Sequence, residues 1–503
     1  MTPFAVEYGD VQGLVRYGYG HMTEARFFLL RVVDPGAARA WLRAAPVTTA
    51  VRTAPPPRTA LQVAFTREGL EALAVPAAVV RGFSAEFISG MTGEESRSRR
   101  LGDVGGSDPA HWDWGGPGNV PHVAVLLYAE PGQIESWTLT ATCDPWARAF
   151  QVLESPVPAP LDDVEPFGFV DGISQPVLDW EGRRTANGSD LLEYGNVVSL
   201  GEFLLGYPNE YGKYTDRPLI DPKGDRVADL PPAASAPGRR DVGRNGTYLV
   251  VRQLRQDVRG FWQFLHRQTN GDPQARRALA EAMVGRAMTG EPLITVGGRP
   301  IAGLATGSPD GVRYNQFTFD SDAAGTRCPL GAHIRRANPR NADLPGGPAG
   351  FIRRLIRTLG FGRKSFREDV VASTRFHRIL RRGREYGTSL PVEEALRPGG
   401  AGDAERGLYF IGLGANIARQ FEFVQSAWIM GTKFDGLAEE SDPIVGGRGP
   451  ISGCPVTSTF SLPQAGGVRR RITGLPQFVT VRGGAYFFLP GLRALRYLTS
   501  FGD

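Results

Sequence analysis

From Ala25 to Val33 the chain reads ARFFLLRVV, an apolar run of strand length rich in Phe, Leu and Val. GAARAWLRAA follows with apolar residues at helical spacing, then the strand-like ALQVAFT, the helix-like REGLEALA and the strand-like HVAVLLYAE. Each run is bounded by Pro, Gly or charged residues, which punctuate elements. A second cycle begins at Thr247 with TYLVVRQL. It continues through ARRALAEAMVGRA, GLYFIGLGA and the helical stripe NIARQFEFVQSAWI, and closes on GAYFFLPG. Strands and helices alternate in both cycles, so the pattern predicts an α+β fold with two comparable halves.

Between the cycles the chain turns rich in Pro, Gly and charge, DLPPAASAPGRR among them, and this stretch reads as a long surface excursion and module boundary. The division is therefore residues 1–205, an excursion over 206–245, and residues 246–503. Later, GFIRRLIRTLGFGRKSF sets Phe351, Ile352, Leu355, Ile356 and Leu359 against Arg353, Arg354 and Arg357, which predicts a short basic amphipathic helix.

At 503 residues the chain is long enough for a large core or two fused cores. Its 41% hydrophobic and 22% charged residues exclude the disordered and membrane classes. The net charge of +5 is too small and too dispersed to argue for nucleic acid. Cys143, Cys328 and Cys454 form neither a CxxC pair for zinc nor a CxxCH for covalent haem, which fits a reducing compartment. The first twenty residues lack a basic region and a long apolar one, so the expected location is the cytoplasm, with no transmembrane segment.

Candidate chemistry concentrates in three separated motifs. CPLGAHIRRANPR, Cys328 to Arg340, isolates His333 among Arg335, Arg336 and Arg340 in a chain with only six histidines. Such an imidazole suits a metal centre, and arginines suit carboxylates. Upstream, EPFGFVDGISQPV places Asp171 in a GxxDG turn among Phe167, Phe169, Val170 and Ile173. Downstream, HRILRRGREYG sets Arg381 and Arg382 just before Gly383, Tyr386 and Gly387.

In these motifs, and in their order, the chain resembles the dye-decolorising peroxidases, haem enzymes with a GxxDG aspartate, an HIR...NPR histidine and an RxGxxYG arginine. The resemblance runs roughly from Val11 to Phe488. It takes in VQGLVRYGY, AFTREGLEAL, GEFLLGYPNEYGKY, NGTYLVVRQLRQDV, QFEFVQSAW, DPIVG and FVTVRGGAYFFLPG, and is nearer the longer subfamilies than the compact ones. It implies two ferredoxin-like modules with antiparallel sheets, haem in the C-terminal module, and one haem b per chain. It further implies reduction of hydrogen peroxide and oxidation of phenols, aromatic amines or dyes through a ferryl state. The expected partners are thus hydrogen peroxide and small aromatic reductants, with no nucleic acid.

Carried onto this sequence, the resemblance makes His333 the iron ligand and Asp171 the acid and base for peroxide. A carboxylate, with an ordinary pKa of about 4, remains a competent base in mildly acidic solution where histidine is already charged. Arg381, two residues before Gly383, supplies the fixed charge, with Arg382 its immediate rival. Arg340 and Arg335 are expected at the haem propionates. Ile173, Ser174 and Gln175 are expected against the porphyrin, with Phe421 and Leu413 as apolar walls. Glu422, beside the stripe Ile417, Phe421, Val424 and Trp428, is the candidate acidic partner of His333.

Two rival readings remain: a haem-binding or haem-delivery protein with incidental peroxidase activity, and a related α+β haem enzyme of different chemistry, against which Asp171 and Arg381 together speak. Nucleotide enzymes find no support, because GLGAN at Gly412 lacks the P-loop lysine and the full dinucleotide fingerprint. Metal hydrolases lack an HExxH.

Overall fold

The computed structural model describes residues 5–162, 164–183, 196–223, 225–294, 315, 317–340, 374–399, 403–449, 457–464 and 466–502. The predicted basic helix after Gly350, and Cys454, lie outside these residues.

Nine strands form one antiparallel sheet: β1 Glu24–Val32, β2 Thr59–Phe65, β3 Val123–Ala129, β4 Phe150–Glu154, β5 Thr247–Gln256, β6 Leu380–Arg381, β7 Arg384–Tyr386, β8 Gly407–Gly414 and β9 Val479–Leu489. Their order is β6-β8-β5-β9-β2-β3-β1-β4, with β7 also on β8. In the first half the strands lie 2-3-1-4, with helices after β1 and β3. In the second half, taking β5 as first, β6 and β7 as second, β8 as third and β9 as fourth, the same 2-3-1-4 order returns. Each half is thus a ferredoxin-like βαββαβ unit. The two join edge to edge where β9 meets β2, at Phe488 opposite Phe65.

Local chemistry explains the flanking helices. Helix α1, Pro35–Ala44, starts where the Asp34 side chain accepts from the Ala37 amide, has Pro at its first turn, and buries Ala38, Trp41 and Leu42. Helix α2, Ile134–Ala141, crosses after β3. Helix α3, Val258–Gln268, is capped by Asp257 on Gly260 and buries Phe261, Trp262 and Leu265. Helix α4, Pro273–Val284, is capped by Asp272 and ends on Gly285 at φ +97°, a left-handed conformation that favours glycine.

Strand alternation divides the core. On β8, Tyr409, Ile411 and Leu413 join Leu249 and Val251 of β5 on one face. Leu408 and Phe410 turn to the other face with Arg252, Leu254 and Gln256, where a cavity opens. The stretch from 206 to 245 packs inward as well as running over the surface. Val227, Leu230 and Val242 are buried in the main core, and Arg217 pairs with Asp241 at 2.6 Å in its interior. No helix among the described residues is long and apolar enough to cross a membrane.

Candidate active site

The cavity measures about 310 Å³ and lies on the second half's sheet, closed from the first half by residues 101–107 and 165–176. His333, Asp171 and Arg381 all line it.

His333 opens helix α5, His333–Ala337, whose first turn is closed by the amides of Arg335 and Arg336 on the Ala332 carbonyl. Arg336 ties this short helix down, donating to the carbonyls of Trp428 (2.6 Å), Gly431 (2.9 Å) and Glu440 (2.7 Å). The His333 ring meets the Asp442 carboxylate, Nδ1 to Oδ2, at 2.9 Å. Asp442 is fully buried, and its Oδ1 accepts from the amides of Ile444 and Val445, both at 2.9 Å. A side chain on Gly446 would meet the Asp442 backbone, so DPIVG needs that glycine. Burial disfavours charge on both groups, but each stabilises the other's ionised form. His333 is therefore raised above its ordinary value and Asp442 held below its own. With Nδ1 engaged, Nε2 is the ring nitrogen left to ligate, and 30% of the His333 side chain stays accessible.

Across the cavity, Gly168 (φ +96°) and Gly172 (φ +75°) shape the GxxDG loop. The Glu165 carboxylate organises it from within, accepting from the amides of Phe167 and Phe169 at 3.0 Å and from Gln256 Nε2 at 2.7 Å. Burial nevertheless pushes Glu165 up to about 7. Arg381 Nη1 lies 3.7 Å from Asp171 Oδ1, and about a third of each side chain opens to the cavity. Arg381 is anchored by Nη2 to the Ser174 carbonyl (3.1 Å) and by its amide to Gln175 Oε1 (3.0 Å). Arg382 instead donates to the Leu14 and Val15 carbonyls, so Arg381 is the arginine that faces Asp171.

The remaining expectations divide. Ile173, Ser174 and Phe421 line the cavity. Gln175 acts through Arg381 and through its carbonyl, which accepts from Asn315 and Asn196. Glu422 is a correction: it accepts from the Tyr486 hydroxyl at 2.9 Å and pairs with Arg97, so Asp442 takes the place expected for it on His333. Residues 418–429 form π-type turns, with Glu422 N bonded to Ile417 O, and this wider winding sends Phe421 to the cavity and Glu422 to Tyr486.

Arg335 and Arg340 lie outside the cavity lining. Arg335 is buried over Phe319 and donates to the Asp322 and Cys328 carbonyls. Arg340 is buried over Phe317 and donates to the Asn315 and Phe317 carbonyls. Both brace backbone, and neither is among the residues that line the cavity. Leu413 points to the sheet face opposite the cavity, being of the other parity from Phe410.

Two residues carried no role in the sequence reading: Asp442, within DPIVG, and Arg252, which lines the cavity and is paired with Asp103. A carboxylate that reaches a histidine 109 residues away carries no local spacing signal.

No family model matches the chain. Curated relatives align along nearly all of it. Peroxidase 2 of Mycetinis scorodonius is 28% identical over 97% of this chain and 86% of its own length. The multifunctional dye peroxidase DyP2 of an Amycolatopsis species is 28% identical over 96% and 91%. Among solved structures, a fungal DyP-type peroxidase from Auricularia auricula-judae superposes with a TM-score of 0.71 at 24% identity, covering 99% of this chain and all of that one. An ancestral D-type dye decolorizing peroxidase gives 0.71 at 23%, over 98% and 99%. A dye-decolorizing peroxidase in complex with 2,6-dimethoxyphenol gives 0.70 at 23%, over 99% of each.

Proposed function

We propose that the chain, like the relatives it resembles in sequence and fold, is a dye-decolorising-type peroxidase that binds one haem b through His333 and uses hydrogen peroxide to oxidise small aromatic reductants. The observation that carries this reading is a single apolar-walled cavity with a carboxylate-backed imidazole on one side and an Asp–Arg pair on the other.

The residues fit the group. Among the described residues no cluster of three or more His, Cys, Asp or Glu side chains stands ready for a bare ion, whereas a porphyrin brings four nitrogens of its own and needs one imidazole. Phe169, Ile173, Phe421 and Val424 supply apolar wall for a flat macrocycle. When bound, haem supplies the two-electron reaction with peroxide and the return of those electrons from reductant.

The protein's part follows from geometry. Asp442 holds the His333 proton at Nδ1 and raises the electron density that Nε2 offers. On the opposite side, the Asp171 carboxylate takes a proton from incoming peroxide and returns it to the departing oxygen. Arg381, fixed by Ser174 and Gln175, stabilises negative charge on that oxygen without having to reorganise. Phenols such as the 2,6-dimethoxyphenol bound by a structural relative are the expected class of reductant.

The test is to load purified protein with haem and follow its absorption on adding stoichiometric peroxide. Asp171→Asn and Arg381→Leu should both keep the haem and slow the peroxide reaction by roughly 10²–10⁴-fold. Undiminished peroxide turnover in the double variant would end the assignment.

A further inference from the structure

Two buried acids feel the charge of Asp171, and they are held differently. Glu165 accepts three N–H bonds on its two oxygens and is occupied in fixing the GxxDG loop. Glu385 is only 8% exposed, and its Oε2 is buried without a hydrogen-bond partner.

Strand geometry turns Glu385 toward the cavity side of the sheet. Its neighbours on β7 point the other way, Arg384 over the Tyr128 ring and Tyr386 against Tyr409. Glu385 itself lies directly opposite Leu408, which lines the cavity, and cross-strand partners share a face. Arg381, four residues earlier along the same edge of β8, faces the cavity too. The Glu385 carbonyl accepts from the Ala159 amide at 2.8 Å, which brings alongside it the segment that carries the exposed Asp162. A surface carboxylate and the cavity carboxylate thus flank one buried acid.

Peroxide reduction consumes protons as well as electrons. One hydrogen peroxide, two electrons from reductant and two protons give two waters as the O–O bond breaks. Asp171 only moves the proton that peroxide itself brings, so the other two enter from solvent. We propose that Glu385 relays those protons between solvent at Asp162 and Asp171. This rests on the peroxidase reading above.

A relay acid has to gain and lose its proton near the pH at which it works. Burial, and then the charges of Asp171 and Asp162, push Glu385 up to about 7, while its own backbone amide and Arg384 pull the other way. Around Asp171 stand Arg381, at 3.7 Å, with Glu165 and His333 further off. Because the influence of Asp171 on Glu385 is reciprocal, the two carboxyls titrate as a pair.

The experiment mixes haem-loaded protein with one equivalent of peroxide and then with ferrocyanide, a one-electron donor that brings no proton. Glu385→Gln keeps the shape and cannot carry a proton. It should react with peroxide as wild type does and then accept electrons from ferrocyanide about 10-fold more slowly or worse, with Glu385→Asp recovering most of the rate. Equal slowing of both steps, or of neither, overturns the proposal. A second measurement needs no haem. The infrared band of the protonated Glu385 carboxyl, identified by its loss in Glu385→Gln, should titrate at lower pH in Asp171→Asn than in wild type. An unmoved midpoint also overturns the proposal. Wild type that takes up no haem refutes the peroxidase reading itself, a result distinct from the infrared one.

Discussion

Asp442 divides its carboxylate between two tasks: Oδ2 takes the His333 ring, and Oδ1 takes the Ile444 and Val445 amides that hold the carboxylate still. Asp442→Asn keeps the shape and removes the charge, so His333 loses the influence that raises it. Haem affinity should fall roughly 10–100-fold, and the reduction potential of bound haem should rise as the ligand donates less. Potentiometric titration decides this, and an unshifted potential would show that Asp442 only positions the ring. His333, Asp171 and Arg381 were readable from local motifs because each sits in a run of glycines, arginines or prolines with its own spacing. Asp442 was not. Its contact arises from where a distant chain segment folds back, and the DPIVG run that contains it carries no spacing that points to His333.

On strand β8 successive residues serve opposite sides of the sheet. Leu413→Ala opens a void in the face away from the cavity and should cost about 2–5 kcal/mol of stability while leaving the haem spectrum unchanged. Phe410→Ala, three residues earlier and on the other face, should alter the spectrum. Denaturant unfolding and absorption spectra read the two effects separately, and a spectral change in Leu413→Ala would refute the assignment of faces. The long apolar strands β1, β2, β3, β5, β8 and β9 were legible from their runs of Phe, Leu and Val. The short β6 and β7, at two and three residues, are defined by pairing with β8 rather than by any pattern of their own. Residues 416–429 read correctly as helical. Their π winding did not show, because a stripe fitted at 3.6 residues per turn places Phe421 and Glu422 differently from the observed turns.

Over the whole molecule, buried acids set the response to pH. Burial raises Glu165 and Glu385 from an ordinary 4.5 to about 7 each. The native state therefore binds more protons than the unfolded one between these values, and their contribution to stability falls as pH rises through that window. Asp442, held low by His333, works in the other direction, its contribution being lost only in more acidic solution. Between pH 5 and 7.5, Glu165→Gln should lose less stability than wild type, by on the order of 1–2 kcal/mol. Urea midpoints at the two pH values measure it, and parallel losses would count against a buried, protonated Glu165.

Because β9 lies against β2, the second half's last strand leans on the first half, and Tyr486 and Phe488 share one core with Leu61, Val63 and Phe65. The halves are fastened by that common interior more than by the peptide that links them. A nick at the exposed turn around Gly212 should leave two fragments that co-purify, and that find each other again when expressed separately.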